Sequence, residues 1–497
     1  MGRGVISTRF FSLCEKTGAD SRSLPLLVLL GVCAACTVGP NYRRPEMPIP
    51  PAYRGQVSPA EAVSFADLPW WEVFQDDVLQ ALIEEALQNN RDLHTAAVRV
   101  EQFRAVVGVA RSELFPQGEY EGGAARSRGV TPLLSPVPPG TTRTSFLGVF
   151  NLAWEIDMWG RIRRATEAAL ADLFASEAFR RGVVLSLVSS VAQAYFELLE
   201  LDLELEIARR TAASFQRTLD LFTQQFNRGV ASRLEVTRAE AALASTMATI
   251  PSLELQIVTK ENQLCVLLGR PPGPVARGRP LTDQAFPETP PGLPAQLLER
   301  RPDILQAEQA IVATNARVGV AVANFFPQIG LTSLYGGASG EVSDIINGRA
   351  NLWSAAGRGV GPLFQGGLLY GNYQAARAQW EQAKEQYEQA VLVALQEVSN
   401  ALVSQQKLAE VRREQARAVF ALQESVRLSL LRYSGGFASY FEVIEAQQQL
   451  FPAENALAQI QRDQLIAVVQ LYRALGGGWS EYAQVPEPPP LWQVTLP

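Results

Sequence analysis

Apolar residues recur at alternating steps of three and four from Val184 to Phe226: Val184, Leu187, Val191, Ala194, Leu198, Leu201, Leu205, Ala208, Ala212, Phe215, Leu219, Phe222 and Phe226. Six heptads without a proline predict one long helix with a narrow apolar seam. Extended back to Arg161, that helix runs about 66 residues, roughly 100 Å at 1.5 Å per residue. A seam of that length must be covered by neighbouring helices. By periodicity alone this is a long structural coiled coil.

A second period appears elsewhere. Phe146, Gly148, Phe150, Leu152, Trp154, Ile156 and Met158 alternate with Ser145, Leu147, Val149, Asn151, Ala153, Glu155 and Asp157. Period two with one largely apolar face predicts a strand. It pairs with residues 117–126 across a Gly/Pro/Thr-rich loop from Ser127 to Thr142. A second hairpin is expected at residues 328–338 and 350–364. Between these elements lie further helical patterns. One opens at Trp70-Trp71 and reaches Asn89-Asn90, the paired tryptophans reading as core anchors. Another runs from Asp92 to Glu113 and stops at Phe115-Pro116. Shorter helices follow at Ser232 to Leu268, where Pro251 is expected to kink the helix, and at Ser439 to Leu475.

The chain repeats itself. Val107 to Gln117 returns as Val318 to Gln328, both ending in Phe-Pro-Gln; Phe226 to Val236 returns as Tyr433 to Val443; Leu267-Leu268-Gly269 returns as Ala474-Leu475-Gly476. The offset is 211 through the first motif and 207 afterwards, so four residues are absorbed in a loop between them. Each half reads helix, Phe-Pro-Gln, strand pair, long helix, Gly turn, helix. Gly229 and Gly436 suit a left-handed position closing each long helix. Ser232 with Glu235, and Ser439 with Glu442, are expected to form capping boxes opening the next one.

Composition narrows the classes. In 497 residues, 44 basic and 50 acidic side chains leave a net charge of −6, without the basic surplus of a nucleic-acid binder. No run of 18 uninterrupted apolar residues marks a membrane helix, so any bilayer crossing must use strands. The first residues carry Arg3, Arg9, Lys16 and Arg22, then the apolar stretch Leu24 to Val32, then Cys33-Ala34-Ala35-Cys36. This is a signal peptide over residues 1–35, and its end resembles a bacterial lipobox that would lipidate Cys36. Thr37, in place of the Asp that retains lipoproteins at the inner membrane, points to the outer one. Residues 36–65 are a Pro-rich extended segment, 66–270 the first repeat, 271–295 a Pro/Gly-rich linker, 296–477 the second repeat and 478–497 a Pro-rich tail. Two hairpins supply four strands, whereas single-chain outer-membrane barrels begin at about eight. The strands therefore form a soluble sheet or are pooled between subunits; the lipobox, the long helices and the membrane-spanning length of the first hairpin favour pooling.

Catalytic chemistry is missing from the pattern. The one histidine, His94, sits in a helical stretch, and beyond the anchor only Cys265 remains, in a packed apolar setting. No His/Cys metal set, Cys-His pair or phosphate loop can be assembled, so no cofactor is expected and the chain is not read as an enzyme.

With these residues assembled, the chain resembles the TolC-like outer membrane efflux proteins, specifically the lipoprotein (NodT-type) outer membrane factors of tripartite pumps. The resemblance runs from Cys36 to about Gly478. It rests on the lipobox, Gly39-Pro40-Asn41-Tyr42, Trp70-Trp71, Arg300-Arg301-Pro302-Asp303-Ile304, both Phe-Pro-Gln motifs and both Gly turns. It implies a mainly α fold with a membrane β-barrel: a homotrimer pooling four strands per subunit into a twelve-stranded outer-membrane barrel over a periplasmic α-barrel. It also implies a periplasmic adaptor docking at the tips Asn227, Arg228, Gly229, Val230, Ser232 and Ser434, Gly435, Gly436, Phe437, Ser439, with an inner-membrane efflux transporter supplying the energy. By the same resemblance Phe441 and Glu445 line the closed aperture, where three copies of Glu445 would form a cation-friendly ring. The competing reading is a periplasmic adaptor or structural coiled-coil lipoprotein without a pore. The duplicated strand pairs argue against it.

Overall fold

The computed structural model describes residues 37–56, 64–128, 142–285, 287, 290, 292 and 294–477. The signal segment, Cys36, the first hairpin loop (129–141) and the Pro-rich tail expected at 478–497 lie outside the described residues. The helices are α1 (Trp70–Val73), α2 (Asp77–Asn89), α3 (Arg91–Ser112), α4 (Arg161–Asn227), α5 (Arg233–Leu267), α6 (Leu297–Arg300), α7 (Pro302–Ala323), α8 (Val342–Ile346), α9 (Leu368–Ser434) and α10 (Tyr440–Ala474). The strands are β1 (Gln117–Arg128), β2 (Thr142–Ile156), β3 (Gln328–Ser339) and β4 (Asn351–Val360).

The duplication is carried into the lengths. α3 and α7 each have 22 residues, α4 and α9 each 67, and α5 and α10 each 35. β1 and β3 start 211 apart while α4 and α9 start 207 apart, so the four-residue difference falls inside the hairpins.

The chain forms two compact units. The first takes its described residues from 37–44, 103–173 and 309–384. Its centre is a fully antiparallel sheet in the order β1-β2-β3-β4. Each Phe-Pro-Gln motif ends a helix and opens a strand, because proline cannot continue the helix and the following Gln is the first ladder residue. Trp159, after β2, stacks on Phe326 of the second motif at 4.7 Å and donates to the Pro327 carbonyl at 2.8 Å. Gly336 lets β3 approach β2, since a Cβ there would fall 2.1 Å from the Gly148 carbonyl oxygen.

Residues following Cys36 are held against this unit. Arg164, buried at the start of α4, donates to the carbonyls of Val38 and Gly39 and to Asn41 Oδ1 at 2.7 Å. The Val38 amide donates to the Trp159 carbonyl. Thr37 packs over Gly160, where an added Cβ would fall 2.7 Å from its Cγ2.

The second unit takes its described residues from 45–102, 174–308 and 385–477, and its regular elements are helices. The seam of α4 is its core: all the heptad positions from Val184 to Phe215 are buried, as is Phe222, while Leu219 is half-buried and Phe226 exposed. The single helix expected from Trp70 to Asn90 is instead α1 and α2. Asp76 interrupts it, accepting from the amides of Val78 and Leu79 as an N-cap, while Gln80 Nε2 donates to the carbonyls of Trp71 and Phe74 that α1 leaves open. Of the two tryptophans expected as core anchors, Trp70 is buried and Trp71 half-buried. Asp76 also accepts from Tyr195 Oη, the Arg279 amide and Gln284 Nε2, tying the linker to the helices. Pro251 lies inside α5 without dividing it, and α10 contains a second internal proline, Pro452.

Candidate functional site

In the sheet, alternation sends side chains to two unlike faces. Phe150, Leu152 and Trp154 of β2 are exposed, with Tyr120, Leu331, Tyr335 and Trp353 on the neighbouring strands. Register aligns four of them: Tyr120 opposes Phe150, Phe150 opposes Tyr335, and Tyr335 opposes Trp353. An unbroken aromatic row thus crosses all four strands on a water-accessible surface of the single chain. An exposed face of this kind is what a lipid-facing band requires. The two outer strands, β1 and β4, each keep one edge outside the ladder. At the end of the sheet nearest the helices, Trp154 Nε1 donates to the Leu114 carbonyl and Arg161 pairs with both Glu155 and Glu113.

In the second unit, α4–α5 and α9–α10 form two helical hairpins whose turns are equivalent. At the first, the Gly229 amide donates to the Phe226 carbonyl and the Val230 amide to Gln225; at the second, Gly436 donates to Tyr433 and Phe437 to Arg432. Both are Schellman motifs, with Gly229 at φ 77° and Gly436 at φ 78°. The residue after each glycine is apolar and turned outward: Val230 is 78% exposed and Phe437 81%. Of the other tip positions, Asn227, Arg228, Ser232, Ser434, Gly435 and Ser439 are exposed too.

The two turns are capped differently on their far sides. Ser232 forms the expected capping box, with Glu235 Oε2 accepting from the Ser232 amide at 2.7 Å. Ser439 does not: it has the extended backbone of an N-cap, but its side chain makes no cap hydrogen bond. Its expected partner, Glu442, lies 3.6 Å from Arg432, which stands where the first repeat has Gln225.

Between the turns lies an aromatic cluster. Phe222, Tyr433 and Tyr440 meet edge to face, with Tyr440 at 4.2 Å from Phe222 and 5.0 Å from Tyr433. Ala239, Val443 and Ile444 complete this core. Tyr433 Oη donates to Gln225 Oε1 at 2.9 Å, joining the second hairpin to the first. Burial pushes the Tyr440 hydroxyl up to about 12. Above the cluster opens a groove of about 980 Å³ lined by Leu221, Gln225, Val230, Leu431, Tyr433 and Ala438 among others.

Phe441 and Glu445 are both exposed, one turn apart on α10, on the face opposite Tyr440, Val443 and Ile444. A residue that periodicity did not single out joins them: Arg238 of α5 stands over the Phe441 ring at 5.7 Å from its centroid. The repeat offset held the signal, since 238 plus 207 is 445. His94 is exposed, its Nε2 2.9 Å from the Gln88 carbonyl, and Cys265 is buried with its thiol donating to the Gly273 carbonyl. Among the described residues no group of three or more His, Cys, Asp or Glu side chains is placed to hold a metal ion.

This arrangement agrees with comparisons to known proteins. The family model described as outer membrane efflux protein matches residues 82–270 and again 293–477, one match for each repeat. The probable efflux pump outer membrane protein TtgC of Pseudomonas putida is 34% identical over 475 residues, covering 92% of this chain and 96% of the relative. The cation efflux system protein CusC of Escherichia coli is 32% identical over 464 residues, covering 92% and 99%. Among solved structures, the outer-membrane channel OprN superposes with a TM-score of 0.83 at 32% identity, over 89% of this chain and 100% of that one. The chain belongs to the outer membrane efflux protein family, whose members are passive outer-membrane channels of tripartite efflux systems rather than enzymes.

Proposed function

We propose that three copies of this chain form one continuous duct. The edge of β1 in each copy pairs with the edge of β4 in the next, giving a twelve-stranded barrel, and the long helices wall a periplasmic tunnel beneath it. The observation that carries this reading is the four-stranded sheet. It has an aromatic row on one face and two edges outside the ladder, and an open edge cannot lie in hydrocarbon. Closure with identical neighbours removes both edges. Apolar residues left exposed on the helices, such as Leu255, Val258 and Val266 of α5, suit burial between copies.

Lipidation of Cys36 would anchor each copy by buried acyl chains. The clamp of Arg164 and Gly160 on residues 37–41 supports this, because it fixes the chain beside the sheet directly after that cysteine. The Schellman-closed tips, with Val230 and Phe437 outward, form the docking surface for a periplasmic adaptor, which couples the duct to an inner-membrane efflux transporter. Phe441 and Glu445 face the axis and line the aperture. Relatives carry names for antibiotic, toluene and cation efflux. A shared wide duct accommodates all of these.

Extraction of outer membranes and gel electrophoresis with and without heating tests the assembly. A trimer-sized band that collapses to monomer on heating is the expected outcome. Monomer confined to the inner-membrane fraction would sink the reading.

A further inference from the structure

The two hairpin tips are copies of one another, and at one position the copies carry opposite charges. Moving Phe441 and Glu445 back by 207 residues lands on Leu234 and Arg238. All four are exposed, on faces of α5 and α10 turned away from the shared core of Ala239, Tyr440, Val443 and Ile444. The two faces meet, since the Arg238 guanidinium lies over the Phe441 ring within cation–π range. Neighbouring charges are engaged elsewhere: Glu235 in the Ser232 cap, Glu442 toward Arg432, and Arg233 over the Phe226 ring.

A ring of Glu445 alone would present like charge and favour cations. The counterpart arginine supplies one positive charge per copy beside the same aromatic ring. Arg238 lies 5.7 Å from the Phe441 centroid and Glu445 one turn along from Phe441, separations comparable with the Debye length of about 8 Å in physiological salt. We infer that Arg238 is a further aperture residue, whose charge offsets Glu445 so that the periplasmic mouth passes ions of either sign instead of selecting cations. This rests on the assignment of Phe441 and Glu445 to the aperture.

The test is the reversal potential of purified full-length trimers in planar bilayers under a KCl gradient. Wild type is expected to show a cation-to-anion permeability ratio of about one. Arg238→Ala should raise that ratio at least about twofold, Glu445→Gln should lower it comparably, and the double variant should return to the starting value. Both side chains are exposed, and heat-modifiable migration verifies that each variant assembles. A ratio moved by Glu445→Gln but not by Arg238→Ala overturns the inference and leaves the aperture assignment standing. One moved by Arg238→Ala alone overturns the offset between the two charges. If neither substitution moves it, the aperture assignment itself falls.

Discussion

Tyr440 stands edge-on to Phe222, ring centroids 4.2 Å apart at 84°, and its hydroxyl donates to Thr218 Oγ1 at 2.5 Å. One residue opening the last helix of the second repeat is thereby fastened to two residues on the long helix of the first. Aromatic edge-to-face pairs add about 0.5–1.5 kcal/mol beyond burial. The hydrogen bond adds about 1 kcal/mol, and its loss leaves the buried Thr218 hydroxyl short of a partner. Tyr440→Phe should therefore cost roughly 1–2 kcal/mol, and Tyr440→Ala about 3–5 kcal/mol by opening a cavity. Limited proteolysis at the tips measures it, with cleavage near Gly229 and Gly436 rising in that order. Equal protection in all three proteins would show that the tips are held together by other contacts.

The aromatic row gives a sharper test of which sheet face meets lipid. Phe150 and Asn151 are adjacent on β2, so they point to opposite faces. Arginine on a lipid face costs about 2–4 kcal/mol near the midplane, whereas a lumen-facing position tolerates charge. Phe150→Arg should abolish heat-modifiable trimers in the outer-membrane fraction, and Asn151→Arg should leave them intact. The reverse result would invert the barrel.

The two caps separate what the sequence states from what it withholds. Ser-x-x-Glu occurs at both turns, and pattern alone assigns two identical boxes. Only the first forms: the Ser439 side chain accepts no cap hydrogen bond, and the Glu442 carboxylate lies 3.6 Å from Arg432, which stands where the first repeat has Gln225. Ser232→Ala should destabilise its hairpin by about 1 kcal/mol and Ser439→Ala by only a few tenths. Thermal unfolding of the two variants side by side reads the difference. Elements set by local rules were legible in this way: the seam of α4, the Phe-Pro-Gln helix-to-strand switches and the positive-φ glycines. The break at Asp76 was not, because the apolar spacing continues through it and the capping carboxylate is recruited by Tyr195 and Gln284, residues 119 and 208 positions away. Arg238 escaped for a related reason. Its contact with Phe441 joins two repeats, and neither repeat alone contains the relation.

Arg301 is another residue whose role depends on distant partners. It is buried, pairs with Asp303 and with Glu397 at 2.7 Å each, and donates to the Ala474 carbonyl at 3.0 Å. In sequence it was only part of an Arg-Arg-Pro-Asp-Ile string. In the fold it joins the start of α7 to α9 and to the end of α10. The guanidinium is buried but both carboxylates are exposed, so removing Arg301 strands no buried charge and costs the charge-assisted hydrogen bonds, about 1.5–3 kcal/mol. Arg301→Ala should lower the melting temperature. Arg301→Lys should recover little, because a point charge cannot serve three separated acceptors as a planar fork does. Full rescue by lysine would show that charge alone matters there.

Glu200 makes the helical unit respond to pH. It lies buried on α4 beside the equally buried Glu204, one turn away, and faces Arg462 of α10 at 3.2 Å. Arg462 is shared with Asp463, and Glu204 is held by Gln459 at 2.8 Å. Burial, then the neighbouring Glu204 charge, raise the Glu200 carboxyl to about 7 against the opposing pull of Arg462. A raised carboxyl binds its proton more tightly folded than unfolded. Between the ordinary carboxylate range and neutrality the unfolded chain releases that proton first, so stability falls as pH rises through this window. Below it both states are protonated and the group contributes no penalty. Glu200→Gln keeps the shape and the hydrogen-bonding capacity but cannot ionise. It should therefore match wild type at about pH 4 and exceed it by on the order of 1–2 kcal/mol at about pH 8. Melting curves of detergent-solubilised protein across that range measure the gap. A variant less stable than wild type at the alkaline end would mean that the Arg462 ion pair outweighs the burial of a second carboxylate.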